Sequence, residues 1–237
     1  MLNRMGIRTK LVLVFLLLGI LPIGLVAAYS YYTANKLLQE ETFETHNLFL
    51  HATSARLEEF FRQHEANAEV LASAAEVIGA LREPERAFIA DPLFASALKN
   101  FGYDIIFLTD PAGNVIHSTD RTIIGTNLSA REYLRGSLSG RRTWSELFYS
   151  DVIHRNTLVL SSPVADKSRG ALLGTLNVLL DQAAIDHIVQ DGIEDLGKSA
   201  EAFLLREDGV LLTNRKKVGL EALKDKVDTA GVRNLLQ

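Results

Sequence analysis

The residues best suited to chemistry lie together in "REYLRGSLSGRRTWSELFYSD", residues 131–151. This stretch holds four arginines (131, 135, 141 and 142), the only tryptophan of the chain, and Tyr133, Phe148 and Tyr149. Rings beside fixed polar groups suit a pocket for a small ligand. An arginine offers a carboxylate a planar fork of donors, and a tyrosine hydroxyl can add another bond. Strand side chains alternate between faces. An unbroken strand over 143–150 therefore puts Trp144, Glu146, Phe148 and Ser150 on one face and Ser145, Leu147 and Tyr149 on the other. On this reading Arg131 and Tyr133 hold the polar end of a ligand, Trp144 and Phe148 form its apolar wall, and Ser150 completes the binding set. The competing reading is a plain core: the rings pack a short helix on a sheet, and the arginines are solvated.

Other chemistries lack their residues. The chain has 237 residues and no cysteine, which excludes disulfides and thiolate metal sites. A net charge of −4 gives no basic footprint for nucleic acid. No Gly-rich phosphate loop, HExxH pair or GxSxG elbow is present, so neither a catalytic residue nor a cofactor is expected. Ser161 and Ser162 have no base at a recognisable spacing. His46, His51 and His64 show no paired metal-ligand spacing and read as surface or packed side chains. Asn127-Leu-Ser129 matches a glycosylation sequon, a pattern short enough to arise by chance. Asp151 and His154 read as a polar loop.

Several elements must position the 131–151 stretch. Residues 11–34, "LVLVFLLLGILPIGLVAAYSYYTA", carry no charge. About 20 apolar residues suffice to cross a bilayer core of roughly 30 Å. Arg4, Arg8 and Lys10 precede the run and Glu40, Glu41 and Glu44 follow it, so the positive-inside rule places residues 1–10 in the cytoplasm and the rest outside. Tyr29, Tyr31 and Tyr32 suit the interface. A cleaved signal peptide is the alternative, with "VAA" at 26–28 as its cleavage site, although its apolar core is normally only about 7–15 residues.

Residues 35–81 contain no proline and only Gly79. Leu57, Phe61, His64, Ala68, Leu71, Ala75 and Ile78 recur at helical spacing, which predicts a stalk helix roughly 70 Å long. "REPER" (82–86) and "DPLF" (91–94) break it. Strands follow at 103–109 and 114–119 around a type I turn, "DPAG". Next come a short helix (129–138), strands at 143–150, 157–165 and 171–180, and a helix at 182–193. A turn, "DKSRG" (166–170), joins the last two strands. Short strands with tight turns imply an antiparallel α+β sheet. A second unit opens at 194, where "EAFLL" and "VLLTN" flank "REDG", a hairpin signal. It is unfinished at Gln237, so the chain reads as part of a longer protein.

Three stretches in this order, 103–128, 131–176 and 196–217, make the chain resemble the double-Cache sensor domains of bacterial transmembrane receptors. Those domains combine a membrane anchor, a long helix and two PAS-like units. The resemblance implies an inner-membrane protein with a membrane-distal unit (82–193) that binds a small molecule such as an amino acid, amine or carboxylate. It also implies an incomplete membrane-proximal unit (194–237), a homodimer, and an output of chemotaxis, histidine kinase or diguanylate cyclase type. A structural or partner-binding module without a small ligand is the alternative class. The amino-acid-binding subgroup carries an arginine, a Trp–Tyr pair, a Tyr-x-Asp and a later aspartate. Ungapped, these fall on Ala130 (Arg131 is one position off), Glu132 and Tyr133, Phe148 and Ser150, and near Leu179. Only Tyr133 matches.

Overall fold

The computed structural model of the chain describes residues 6–166, 170–229 and 232. The chain divides into two units, Met1–His51 and Ala52–Gln237. In the first, helix α1 (Ile7–Ala72) begins and runs through the uncharged segment with Pro22 inside it. Its large apolar side chains, among them Phe15, Leu18, Ile23 and Tyr31, are exposed. The segment is long and apolar enough to cross a membrane.

In the second unit α1 buries Thr53, His64, Ala68, Leu71 and Ala72. The predicted stripe holds to Leu71 and then fails. The helix stops at Ala72, Ala74 is extended (φ −67°, ψ 143°), and α2 (Ala75–Arg82) restarts. The break turns the buried face from the expected Ala75 and Ile78 to Val77, Ala80 and Leu81. Neither proline nor glycine causes it; packing on the sheet selects it. A 3₁₀ segment at Pro84–Ala90 leads into α3 (Asp91–Phe101), which ends at Gly102 in the left-handed conformation.

Six strands follow: β1 (Ile105–Thr109), β2 (Val115–Ser118), β3 (Thr143–Trp144), β4 (Phe148–Ser150), β5 (Arg155–Ala165) and β6 (Leu172–Asp181). Their order is β2-β1-β6-β5-β3, with β4 also paired to β5, and every pairing is antiparallel. Helices α4 (Glu132–Leu138) and α5 (Gln182–Gln190) complete the unit. The predicted turn at 110–113 forms, with the Gly113 N–H donating to the Asp110 carbonyl at 3.0 Å. The turn predicted at 166–170 includes residues 167–169, which lie outside the described residues.

The sheet is covered on both faces, so β1 is buried at all five positions. One face, with Ile106, Leu108, Leu160 and Val178, packs under Leu71, Val77, Ala80 and Phe94. The other, with Ile105, Phe107, Val159 and Leu179, packs under Tyr133 and Leu134. At Gly174 a Cβ would lie 2.0 Å from the Thr109 carbonyl oxygen, and φ is +152°, so only glycine lets β6 approach β1 there.

From residue 201 the chain starts a smaller core around Leu211, Val227 and Val232. The predicted hairpin is present but thin. Arg206 and Val210 bracket the turn through a 2.9 Å backbone bond, and the pairing is reduced to isolated bridges such as Leu205–Leu211.

Candidate functional site: a small cavity under helix α4

A chain of polar contacts builds the rim of the site. The Asp110 carboxylate accepts from the Ala112 and Asn114 N–H groups and from Asn114 Nδ2, which fixes the β1–β2 turn. Asn127 Nδ2 donates back to the Ala112 carbonyl and to Asn114 Oδ1, while its Oδ1 accepts from the Ser129 N–H and hydroxyl. The sequon asparagine is therefore occupied as a loop clamp. Ser129 lies against Gly113, where a Cβ would meet it at 2.8 Å and φ is +85°. The clamp delivers Leu128 and Arg131 to the entrance of α4, with the Arg131 N–H bonded to the Leu128 carbonyl at 2.9 Å.

Helix α4 buries Tyr133, Leu134 and Ser137 against the sheet. Between them the loop, helix and sheet leave a cavity of about 40 Å³. Its walls are Ile105 and Phe107 of β1, Leu179 of β6, Val159 of β5, Ile123 and Leu128 of the loop, and Phe148, Val152 and Ile153. The polar lining is Thr126, Arg131, Tyr133 and Ser150. Tyr133 and Phe148 lie stacked, with centroids 6.4 Å apart, and the Arg131 guanidinium sits 5.4 Å over the Phe148 ring.

Arg131 is exposed at the mouth and has no carboxylate partner among the described residues. Burial pushes the Tyr133 phenol up to about 12, against the pull of the nearby Arg131 charge. Tyr133 thus remains a hydroxyl donor at any physiological pH. The corner can offer donors to an anion, while the walls exclude water from whatever it carries.

Of the five predicted binding residues, Arg131, Tyr133, Phe148 and Ser150 line this cavity and Trp144 does not. The expected single strand over 143–150 is two strands with an irregular link. Trp144 pairs with Leu160, whereas Phe148 pairs with Thr157. Four residue steps on one strand (148 − 144) oppose three on the other (160 − 157), so one extra residue forms a bulge. A one-residue slip moves a side chain to the other face. Trp144 accordingly points toward α1, edge-on to Phe61 at 5.0 Å, and its Nε1 donates to Glu65 at 2.9 Å. Arg142 is also held there, by Glu69 at 2.9 Å. Trp144 borders a separate outer cleft, which Arg131, Tyr133 and Phe148 also line and which holds Glu132, Glu146 and Arg206.

Sequence reasoning did not select Thr126, Ile123 or the strand residues at 105, 107, 159 and 179. The odd-numbered alternation along β1 and β6 carried a signal for the strand residues. The loop residues had none, because the Asn127 clamp and backbone bonds joining Gly125 and Thr126 to Val115 of β2 bring them over the sheet. His64 is a packed side chain, 4.4 Å from the Phe60 ring and 5.3 Å from the Tyr103 ring. Among the described residues, no three His, Asp or Glu side chains converge as a metal site would need.

No family model matches the chain, and no curated protein matches it. Solved structures do. The sensor domain of the V. cholerae histidine kinase DctB is 18% identical with a TM-score of 0.63, over 81% of this chain and 74% of that one. The ligand-binding domain of the Campylobacter jejuni chemoreceptor Tlp3, in complex with 4-methylisoleucine, is 13% identical with a TM-score of 0.65, over 82% and 77%. That of the Pseudomonas fluorescens chemoreceptor CtaA, in complex with L-serine, is 18% identical with a TM-score of 0.54, over 73% and 72%. The fold of this chain is that of the Cache-type sensor domains, as the three sequence stretches implied.

Proposed function

We propose that this chain is the extracytoplasmic sensing portion of a bacterial transmembrane receptor, most directly a chemoreceptor, and that the cavity under α4 is its ligand site. The observation that carries the reading is an arginine with no carboxylate partner among the described residues, beside a buried tyrosine, in the lining of an apolar cavity. The fold it sits in is shared with sensor domains of a chemoreceptor and a histidine kinase. Fold alone does not assign a function; the lining of the cavity is what supports this one. On this reading the chain binds rather than catalyses. The segment at 11–34 anchors it in the inner membrane with residues 1–10 cytoplasmic, and two copies pair as a homodimer.

A ligand shifts a receptor only through its differential affinity for two states. Closing α4 and β4 on a ligand displaces the β3–β4 link, which grips α1 through Trp144 and Glu65. Glu65 and the apolar segment belong to one helix, α1. A kinase or cyclase would use the same input.

The test is a thermal-shift screen of the full chain in detergent against carboxylates, amino acids, amines and purines. Stabilisation by at least one class is expected. A folded protein that responds to none would leave the partner-binding alternative.

A further inference from the structure

We infer that the cavity takes a short-chain aliphatic monocarboxylate and rejects the corresponding α-amino acid. This rests on the reading that the cavity is the sensor site and names the class of its ligand. A free cation favours recognition of an anion, and among the described residues Arg131 is the only cationic side chain lining the cavity. Its planar fork matches a carboxylate, and the Tyr133 hydroxyl stands beside it as a further donor.

An α-amino acid also brings an ammonium group, which is costly to bury without a partner. None of the thirteen lining residues is Asp or Glu. Glu132 and Glu146 border the outer cleft and do not line this cavity, and other nearby carboxylates have partners of their own. Asp181 and Asp104 both lie against Arg155, at 3.4 and 3.5 Å, and Asp181 also caps α5 through the Ala183 N–H at 2.8 Å. Asp120 is used by Thr122, and Asp151 is exposed and does not line the cavity. The same commitments bind Arg155, and among the described residues no second cation lines the cavity for a dicarboxylate.

The remaining lining is a hydrocarbon surface: nine of the thirteen residues are aliphatic or phenylalanine. A volume of about 40 Å³ is only a few times the roughly 10–15 Å³ that one water requires. A short tail fills that space, and a longer one must extend through the open mouth. Until the cavity is full, each methylene should tighten binding roughly four-fold.

The experiment is isothermal titration of the full chain in detergent with acetate, propionate, butyrate, L-alanine, propylamine and succinate. Propionate or butyrate should bind, with L-alanine, propylamine and succinate at least about tenfold weaker. Arg131→Ala, at an exposed position, should weaken propionate about tenfold or more. Val152→Asp, also exposed, adds a carboxylate at the mouth; it should weaken propionate and strengthen L-alanine. L-Alanine or succinate binding as tightly as propionate would overturn the ligand class and leave the sensing role standing. So would propionate affinity that ignores Arg131→Ala. Failure of the whole screen above would instead remove the sensing role itself.

Discussion

Tyr133 and His64 show how burial sets what a single side chain can do. Tyr133 keeps its proton because the phenolate would lose its hydration under α4. Tyr133→Phe should leave the fold intact and weaken carboxylate binding by about 1 kcal/mol, the net value of one hydrogen bond. Titration of the variant with propionate reads this directly. His64 is buried between Phe60 and Tyr103, and its Nδ1 has no hydrogen-bond partner. Burial holds its pKa below the ordinary 6.5. The unfolded chain therefore takes up the proton first, and acid favours unfolding. The stabilising contribution is full above about pH 6.5 and is lost as pH falls toward the lowered folded value. Melting profiles between pH 5 and 8 should show His64→Phe with a flatter acid limb than the natural chain. An unchanged limb would show that other groups set the acid dependence.

At the scale of elements, alternation and helical periodicity made most of the order readable. β1, β2, β5 and β6 fall where their β-branched and aromatic runs lie, and the turns between β1 and β2 and after α4 carry their glycines. Two features were hidden: the break at Ser73–Ala74 and the bulge between Trp144 and Phe148. Neither is marked by proline or glycine. Each depends on which partner the segment packs against, and local pattern carries no such information. The bulge is also why Trp144, alone of the five predicted residues, does not line the cavity, since one inserted residue reverses the side every later residue faces.

The displaced tryptophan provides a probe. Glu65→Ala should cost about 1 kcal/mol and shift the emission of Trp144 to longer wavelength as its indole N–H turns to water. Unshifted emission would mean that Glu65 does not hold the ring. Gly174 is the stricter test of the sheet. Gly174→Ala drives a Cβ into the Thr109 carbonyl and imposes a positive φ on alanine. A loss of about 3 kcal/mol is expected in urea unfolding. A loss under about 1 kcal/mol would mean that β1 and β6 separate easily.

Across the second unit as a whole, one buried carboxylate joins the six-stranded sheet to the smaller core beyond residue 200. Asp186 on α5 accepts from Gln182 Nε2 at 3.1 Å, from the Asn214 N–H at 3.0 Å and from Asn214 Nδ2 at 2.6 Å. Asn214 Oδ1 in turn accepts from the Ala222 N–H, and the Ala222 carbonyl accepts from Asn156 on β5. Asn156 also donates to Gln182, which closes a ring of hydrogen bonds. Asn156 is the β5 partner of Tyr149, between Phe148 and Ser150 of the cavity wall. The ring therefore ties the floor of the site to the start of the next core. Every contact to Asp186 is a donor aimed at an acceptor, so Asp186→Asn turns an amide N–H₂ toward other donors while keeping the shape. Leaving such groups buried and unmatched costs about 2 kcal/mol. Backbone amides of residues 203–223 should then exchange at least about tenfold faster, while those of β1 and β5 keep their protection. Uniform loss of protection would show that the two cores unfold as one body, and no change would show that Asp186 is not the joint.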